Sequence, residues 1–363
     1  MRTTVVTGLF RLEMLPAREG DCLIVTYGDE QKPRRILIDG GRAGTWKDLK
    51  RHLEKVPANQ REFELLIVSH VDRDHIEGVL SMLEDDDLPV TFKDIWFNGY
   101  HHLMEQDIES FGPVQGERLS AALNKPGRKW NAAFGKRAVC VKPDGDAVSV
   151  SLEGGMKLTV ISPDRAKLRA LEPEWVKEVE KAGMIAGEGM KAQPDGPAGY
   201  ESMGGINVDD LADVPFEEDG SKPNGSSIAV IAEFDGRRAL LAADAHVDRM
   251  VAAIKPLAAA DGGKLRLAGA KLAHHGSKYN VSTELLELLD CRRYLISTNG
   301  SYFNHPDPEA VARLIKYGGT NVEIAFNYES DETKVWKGKR LRDEWDYEVS
   351  YPDGEPGYRR IDL

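Results

Sequence analysis

The sequence is organised around one stretch, Leu65-Leu66-Ile67-Val68-Ser69-His70-Val71-Asp72-Arg73-Asp74-His75-Ile76-Glu77-Gly78. It begins with four apolar residues, two of them β-branched, as is typical of a buried β-strand. Two histidines and two aspartates follow within six positions, and an apolar pattern of helical period starts near His75. The stretch therefore predicts a strand that ends in a His/Asp loop and leads into a helix. Imidazole and carboxylate groups at this density indicate a binding site for a divalent cation.

The composition predicts a globular protein with a substantial core. The chain has 363 residues, of which 41% are hydrophobic and 30% are charged, and its net charge is −12. An acidic chain lacks the broad basic surface that binds long nucleic acids, although cations in a cleft can make that cleft locally positive. Three scattered cysteines without a CxxC motif argue against a disulfide framework. Since neither a signal-peptide pattern nor an apolar stretch of membrane-spanning length is present, we expect a cytoplasmic protein without a membrane partner.

Polar residues also follow other predicted strands. Asp39, Asp244 and the pair His274-His275 each come directly after an apolar run. Polar groups at the C-terminal ends of strands in an α/β sheet meet at one rim. Together with the His/Asp loop they exceed the needs of one tetrahedral cation and suit two adjacent cations. Asp244 is then the natural bridge between the cations, because it comes from a distant strand.

Local signals predict elements away from this rim. Asp235-Gly236 between two apolar runs predicts a β-hairpin, and an apolar pattern between Pro308 and Gly318 predicts a helix. The valines near residues 139–141 predict a short strand. From about 164 to 222 the composition shifts toward Gly, Pro, Met and acidic residues. We expect this segment to be a lid or insertion within a single domain that spans residues 1–363.

The chain resembles the metallo-β-lactamase superfamily, and most of all the branch that contains the hydrolase domains of ComEC-type DNA-uptake proteins. The resemblance rests on motifs that follow the family's order between about residues 10 and 325. They are Gly20-Asp21-Cys22, Ile38-Asp39-Gly40-Gly41, Ser69-His70-Val71-Asp72-Arg73-Asp74-His75, Asn224-Gly225-Ser226-Ser227, Ala243-Asp244-Ala245, Ala273-His274-His275-Gly276-Ser277 and Asn304-His305-Pro306-Asp307-Pro308-Glu309. The fold implied by the resemblance is an α/β four-layer αββα sandwich with metal ions at the rim of its sheets.

The resemblance also implies a set of ligands and catalytic residues. The first cation would bind His70, Asp72 and Asp244; the second would bind Asp74, His75, Asp244 and His274; and Asp74, His75 and His275 would take part in catalysis. His275 could equally orient a ligand or bind a cation itself. The cofactor would be one or two divalent ions, Zn²⁺ or Mn²⁺.

The sequence departs from the commonest pattern of the superfamily at two points. Asp72 stands where the usual HxHxDH motif has its second histidine, and the ComEC-like branch shares this HxDxDH form. The family's middle histidine motif has no counterpart after the strand that ends at Ser162-Pro163. The first site is therefore poorer in nitrogen, which favours Mn²⁺ there or a single ion at the second site.

Five further residues are candidates for supporting roles. His305 could contact substrate or only form the turn that enters a helix, and Asn224 and Ser277 are candidate substrate contacts, with loop shaping as the alternative for Asn224. Asp39 is expected to orient a ligand histidine. Asp21 could do the same, or could bind backbone in its own turn.

These observations predict a metal-dependent hydrolase that uses a cation-activated water. The favoured substrate is a phosphodiester in a nucleotide or short nucleic acid, and this choice rests on the ComEC-like resemblance. The alternatives are hydrolysis of a carboxylic ester, lactone or lactam, and a metal-binding sensor with little turnover. The sequence leaves the oligomeric state open.

Overall fold

The computed structural model describes residues 8–104, 114–181 and 206–363. In chain order the strands are β1 (Leu9–Met14), β2 (Leu23–Gly28), β3 (Pro33–Ile38), β4 (Glu62–Phe63), β5 (Leu65–Ile67), β6 (Thr91–Phe92), β7 (Ile95–Trp96), β8 (Val148–Ser151), β9 (Lys157–Ser162), β10 (Ala229–Phe234), β11 (Arg237–Leu241), β12 (Leu265–Leu267), β13 (Gly269–Lys271), β14 (Leu289–Cys291), β15 (Arg293–Ile296), β16 (Val322–Phe326), β17 (Tyr347–Ser350) and β18 (Arg359–Asp362). The helices are α1 (Trp46–Glu54), α2 (Arg73–Glu84), α3 (Tyr100–Met104), α4 (Val114–Leu123), α5 (Arg165–Lys181), α6 (Val208–Ala212), α7 (Lys222–Gly225), α8 (Val247–Ala260), α9 (Thr283–Glu287), α10 (Pro308–Tyr317), α11 (Asp331–Lys334) and α12 (Lys339–Trp345).

Two large mixed sheets form the centre of the fold. The first has the order β18-β1-β2-β3-β5-β7, and the second has the order β17-β16-β15-β13-β11-β10-β9-β8. In the first sheet, β18 to β3 are antiparallel and β3, β5 and β7 are parallel. In the second, β17 to β11 are parallel and β11 to β8 are antiparallel. Each sheet therefore has a parallel half, which delivers several strand ends to the same edge.

Three hydrophobic cores lie between neighbouring layers of sheets and helices. One core joins alternate residues of the two sheets, such as Phe10 and Val25 from the first and Val230 from the second. The intervening residues Ile24 and Leu37 face away from this core and pack with α1, α2, α4 and α5. This alternation follows from the two-residue period of a strand. A third core joins the outer face of the second sheet to α6, α8, α9 and α10. The layer order is αββα, so the predicted four-layer sandwich is confirmed.

Most of the local predictions agree with the structure. Asp235-Gly236 connects β10 and β11 in an antiparallel hairpin, and α10 runs from Pro308 to Tyr317. The prediction of a strand at 139–141 was wrong. The Asn98 side chain accepts from the Val139 N–H (2.8 Å) and donates to the Val139 carbonyl (2.9 Å). A side-chain amide thus takes the hydrogen bonds that a neighbouring strand would have made.

The predicted insertion at 164–222 is only partly described, because residues 182–205 lie outside the described ranges. Its described flanks belong to the layered body. Leu168, Leu171 and Trp175 of α5 are buried in the core beside the first sheet, and α6 packs against α10 in the core beside the second. Among the helices of the described residues, none is both long and apolar enough to span a membrane.

A close contact between glycines holds the start of α2 against the end of β3. The Gly40 N–H donates to the His75 carbonyl (2.9 Å), and the Gly78 N–H donates to the Gly41 carbonyl (2.8 Å). A Cβ at Gly78 would overlap the Gly40 carbonyl oxygen. Glycine is therefore required here for close approach, and this contact fixes the first turn of α2 relative to the sheet.

Candidate metal centre

The candidate site lies at the rim where both sheets end. A hydrogen bond from the Ile228 N–H to the Ser69 carbonyl (2.9 Å) joins the two halves of this rim, and one from the His274 N–H to the Ala243 carbonyl (2.9 Å) joins two loops of the second sheet. The residues brought together, which we call the His/Asp cluster, are His70, Asp72, Asp74 and His75 from the first half and Asp244, His274 and His275 from the second.

One carboxylate oxygen, Asp244 Oδ2, lies at the centre of the cluster. The Nε2 atoms of four imidazoles surround it, at 3.4 Å for His75, 3.7 Å for His275, 3.8 Å for His70 and 3.9 Å for His274. The other carboxylates lie on either side of it. Asp72 Oδ2 is 3.5 Å from His70 Nε2, and Asp74 Oδ2 is 3.5 Å from His275 Nε2. Both halves of the predicted ligand set therefore converge around Asp244.

Hydrogen bonds at Nδ1 set the direction in which each buried ring faces. His75 Nδ1 lies 2.8 Å from Asp39 Oδ2, and His275 Nδ1 lies 2.8 Å from the Ser297 carbonyl oxygen. These partners only accept, so each Nδ1 donates and each Nε2 presents a lone pair to the cluster. A metal-binding imidazole is commonly held in this way.

Asp39 organises the half of the site that comes from the first sheet. Its carboxylate accepts from the Ser69 N–H (2.7 Å), the Ser69 hydroxyl (2.6 Å) and His75. Because the Ser69 hydroxyl gives its proton to Asp39, its oxygen is left to accept from His70 Nδ1 at 3.0 Å. Asp39 itself has a left-handed φ of 57°. One carboxylate thereby orients two histidines, one directly and one through a serine.

A different network holds His274. Its Nδ1 lies 3.0 Å from Asn280 Oδ1, 3.3 Å from Asn224 Nδ2 and 3.6 Å from Asp219 Oδ2. Asp219 Oδ2 accepts from the amide of Asn224 (2.7 Å) and from that of Asn280 (3.1 Å). This turns the Asn280 oxygen toward the ring. The nearest contact and the carboxylate both favour a proton on Nδ1, which leaves His274 Nε2 directed toward Asp244.

The adjacent histidines differ in burial and in the groups they face. Both have left-handed backbone conformations, with φ of 46° for His274 and 53° for His275. The His275 side chain is fully buried between Asp74 and Asp244, whereas that of His274 is 19% exposed. A donor atom of His275 forms a compact group with those of Asp74 and His75, whereas His274 Nε2 lies 3.9 Å from Asp244 Oδ2.

The cluster fits a divalent cation. His70 Nε2 and Asp244 Oδ1 are buried and have no hydrogen-bond partner among the described residues. His75 Nε2 and His275 Nε2 lie 3.3 Å apart, and two facing lone pairs at this distance require a proton or a cation between them. The potential donor atoms of His70, His75 and Asp244, and those of Asp74, His75 and His275, form two groups compact enough for one ion each. Imidazole with carboxylate is a donor set that suits Zn²⁺ or Mn²⁺.

Without a cation, the charges of the cluster stabilise protons on its imidazoles. Burial lowers the pKa of His275, but the Asp244 and Asp21 carboxylates outweigh it and raise that pKa to about 9. Burial likewise opposes charge on His75, yet Asp244 and Asp74 raise its pKa well above the ordinary value. Burial would raise the pKa of Asp244, whereas the facing imidazoles hold it well below its usual range. The site is therefore built to bind positive charge.

A buried ion pair underlies the cluster. The Lys271 ammonium bonds the Asp21 carboxylate, and both side chains are essentially inaccessible to solvent. Burial would raise the pKa of Asp21, but Lys271, and after it His275, lower that pKa to about 2. Asp21 Oδ1 also lies 3.5 Å from His275 Nδ1. The predicted role of Asp21 as an orienting group stays a prediction, because the Ser297 carbonyl is the closer partner of that nitrogen.

The three candidate substrate contacts lie in different surroundings. His305 is mostly buried, and its ring is 5.1 Å from that of His274. Asn224 and Ser277 are buried, and neither lines the cleft that opens over the cluster. Their predicted contact with substrate therefore stays a prediction. The cleft is lined by Glu19, Arg42, Asp72, Arg73, Asp74, Asp244, His274, Tyr302 and Phe303.

Sequence reasoning missed several residues that support the cluster. Lys271 carried a usable signal, because it is a charged residue at the end of an apolar strand pattern. Ser69 stood beside a predicted ligand, but its hydrogen bonds to Asp39 and His70 depend on the fold. Asp219 and Asn280 had no signal, since the first lies in an irregular acidic segment and the second in a loop. Only the folded chain brings them to His274.

Comparisons with known proteins add little to this description. No protein-family model matches the chain, and no curated protein matches it. Among solved structures, the crystal structure of the metallo-beta-lactamase fold protein YhfI from Bacillus subtilis is similar, with 11% sequence identity and a TM-score of 0.44. The similarity covers 97% of this chain and 100% of that one. At this distance the likeness supports no inference about function, which must come from the cluster itself.

Proposed function

We propose that the chain is a metal-dependent hydrolase of the metallo-β-lactamase superfamily, and that it cleaves a phosphodiester in a nucleotide or short nucleic acid. The observation that carries the proposal is the arrangement of four imidazole Nε2 atoms within 3.9 Å of Asp244 Oδ2 at one end of an αββα sandwich. The HxDxDH form of the motif, shared with the ComEC-like branch, supports the choice of substrate.

Charge supports an anionic substrate. Asp72, Asp74 and Asp244 would offset most but not all of the charge of two divalent cations, and the cleft would stay locally positive. The chain as a whole carries a net charge of −12. Long nucleic acid would thus be repelled outside the cleft, while a short phosphodiester could reach it.

The residues of the chain have distinct roles in this reaction. A divalent cation held by the cluster would polarise a substrate oxygen and lower the pKa of a water molecule. Asp39 and Ser69 keep His75 and His70 oriented, so that little reorganisation is needed when substrate binds. Asp74 lines the cleft, and its neighbouring imidazoles hold its pKa well below the usual range although burial opposes this. Beside bound cations its carboxylate would also be ionised, and it could accept a hydrogen bond from the attacking water.

The test combines metal analysis with a panel of substrates. Purified protein would be assayed with Mn²⁺ or Zn²⁺ on bis(p-nitrophenyl) phosphate, p-nitrophenyl phosphate, a lactone and a chromogenic cephalosporin. We expect hydrolysis of the phosphodiester, complete loss of activity with a chelator, and recovery when the ion is restored. Asp244→Asn should lose both bound metal and activity. Asp248→Asn, which changes a half-exposed aspartate paired with Lys167, is the matched control and should keep both.

Two results would overturn the proposal in different ways. Cleavage by fully chelated protein would contradict the role of the cations. Efficient hydrolysis of the lactone or the cephalosporin, with no turnover of any phosphodiester, would replace phosphodiester cleavage by acyl chemistry at the same cluster.

A further inference from the structure

Two aromatic side chains stand exposed at the edge of the cleft. Tyr302 and Phe303 have relative exposures of 37% and 48%, and their ring centroids are 4.4 Å apart. Single exposed apolar residues are ordinary on protein surfaces, but these two are adjacent and line the same cleft. The other residues of its lining are all ionisable. The cleft therefore combines one apolar wall with a polar floor.

The loop that carries the aromatic rings is held in place by hydrogen bonds. The Asn299 N–H donates to the Arg18 carbonyl (2.9 Å), and the Asn304 N–H donates to the Gly300 carbonyl (3.1 Å). The Ser301 hydroxyl lies 2.7 Å from Asn299 Oδ1 and 3.4 Å from Glu19 Oε2. The loop is thus tied to Arg18 and Glu19 at its start and closed on itself at its end, and it presents its rings to solvent.

Phe303 lies beside the candidate metal centre. Its ring stacks on that of His305, with centroids 5.8 Å apart and an interplanar angle of 25°. It also meets the His274 ring edge-to-face at 6.3 Å, and His274 Nε2 is 3.9 Å from Asp244 Oδ2. Only one imidazole ring thus separates Phe303 from the centre of the cluster. A planar group stacked on Phe303 would occupy the same cleft as a group bound at the cluster.

We propose that the exposed face of Phe303, with Tyr302 beside it, is a binding subsite for the nucleobase of the substrate. This inference rests on the proposed function, because it joins a planar ring on the apolar wall to a phosphodiester at the cluster. A nucleotide carries both groups a short distance apart. Stacking on aromatic side chains recognises any base, since every base has a π-face, so the subsite would select nucleotides over other phosphodiesters without reading base sequence.

The test compares two ligands that differ only in the base. Adenosine 5′-monophosphate and ribose 5-phosphate would be titrated calorimetrically into Mn²⁺-loaded protein. Stacking predicts that the adenosine ligand binds about 5- to 100-fold more tightly. Phe303→Leu keeps an apolar side chain but removes the planar face, and should abolish most of this preference. Phe303→Trp should retain it. Tyr279→Ala removes another exposed ring that does not line the cleft, and should leave the preference unchanged.

Two outcomes of the titrations would contradict the base subsite. Equal affinities for the two ligands in the unaltered protein, or an undiminished preference in Phe303→Leu, would overturn the base subsite. Metal content in every Phe303 variant should equal that of the unaltered protein, which separates loss of stacking from damage to the cluster.

Failure of the subsite and failure of the proposed function are also distinguishable. If no phosphodiester is hydrolysed but the preference for adenosine 5′-monophosphate persists and depends on Phe303, the hydrolase proposal fails and the subsite stands. If simple phosphodiesters are hydrolysed and Phe303→Leu raises the KM of a dinucleotide no more than that of bis(p-nitrophenyl) phosphate, the subsite fails alone. The expected kinetic result is a selective rise in KM for the dinucleotide with little change in kcat.

Discussion

At the scale of single residues, the geometry of the His/Asp cluster depends on side chains that lie outside it. Asp219 holds two asparagine amides and so fixes which atom of Asn280 faces His274. An amide turned the other way would present N–H to Nδ1 and favour the tautomer that carries its proton on Nε2. In that tautomer Nε2, the atom that faces Asp244, carries a proton and has no lone pair for a cation.

Asp219→Asn should therefore weaken cation binding by about 10- to 100-fold without unfolding the chain. The affinity would be measured by competition with a chromogenic chelator, and the tautomer of His274 by nitrogen-15 NMR of its ring. Asp213→Asn is the matched control, since this nearby aspartate is exposed and pairs with Lys316. Unchanged affinity and an unchanged tautomer in Asp219→Asn would rule out the orienting role.

Sequence alone could identify the cluster but not its support. The spacing of His70, Asp72, Asp74 and His75 is local, so it is visible in the printed sequence. The choice between His274 and His275 is not, because both residues adopt left-handed conformations and the ring positions follow from the turn as a whole. Asp219 reaches His274 from 55 positions away, and no local pattern records that contact.

At the scale of elements, the start of α2 is positioned by close contact with the turn after β3. A glycine inside a helix normally costs about 1 kcal/mol relative to alanine. Gly78 is inside α2 and yet has no room for a Cβ against the Gly40 carbonyl. Helix propensity and packing therefore predict opposite signs for the same substitution.

We expect Gly78→Ala to destabilise the chain by about 1–3 kcal/mol, as overpacking usually does, and to lower metal affinity by displacing His75. Denaturant unfolding measures the first effect and metal titration the second. Gly220→Ala, where a Cβ would meet nothing within 4 Å, should change neither. A stabilised Gly78→Ala protein would mean that the helix can shift away from β3.

Element predictions succeeded where the signal was local and failed where a distant group intervened. The Asp235-Gly236 hairpin and the helix after Pro308 depend on turn and cap residues that lie within the element itself. The segment at 139–141 has the composition of a strand, but Asn98 satisfies Val139 from 41 positions away. That contact exists only once β7 and its loop are in place.

At the scale of the whole molecule, the cluster joins the two sheets. In the first half, His70 follows β5 and His75 lies in the first turn of α2. In the second half, Asp244 follows β11 and His275 follows β13. A cation bound by both sets would connect the halves at one end of the sandwich. Binding to the native state alone stabilises a protein according to the free concentration of the ligand.

Added Mn²⁺ or Zn²⁺ should therefore raise the free energy of unfolding, by about 2.7 kcal/mol at a free ion concentration one hundred times the Kd. Thermal unfolding across a series of ion concentrations, with a chelated sample as reference, would measure this. Asp244→Asn should show little or no shift. An equal shift in that variant would indicate that the ion binds elsewhere.

The buried pair of Asp21 and Lys271 has a consequence for how the two sheets find each other. Asp21 precedes β2 of the first sheet, and Lys271 ends β13 of the second. If the sheets docked in another register, an ammonium and a carboxylate would each be left without a counter-ion in an apolar interior, at a cost of several kcal/mol per ion. Hydrophobic side chains can pack in many approximate arrangements, whereas Asp21 and Lys271 meet only when the sheets dock in the observed register. We therefore expect the pair to penalise misaligned sandwiches more than it stabilises the correct one.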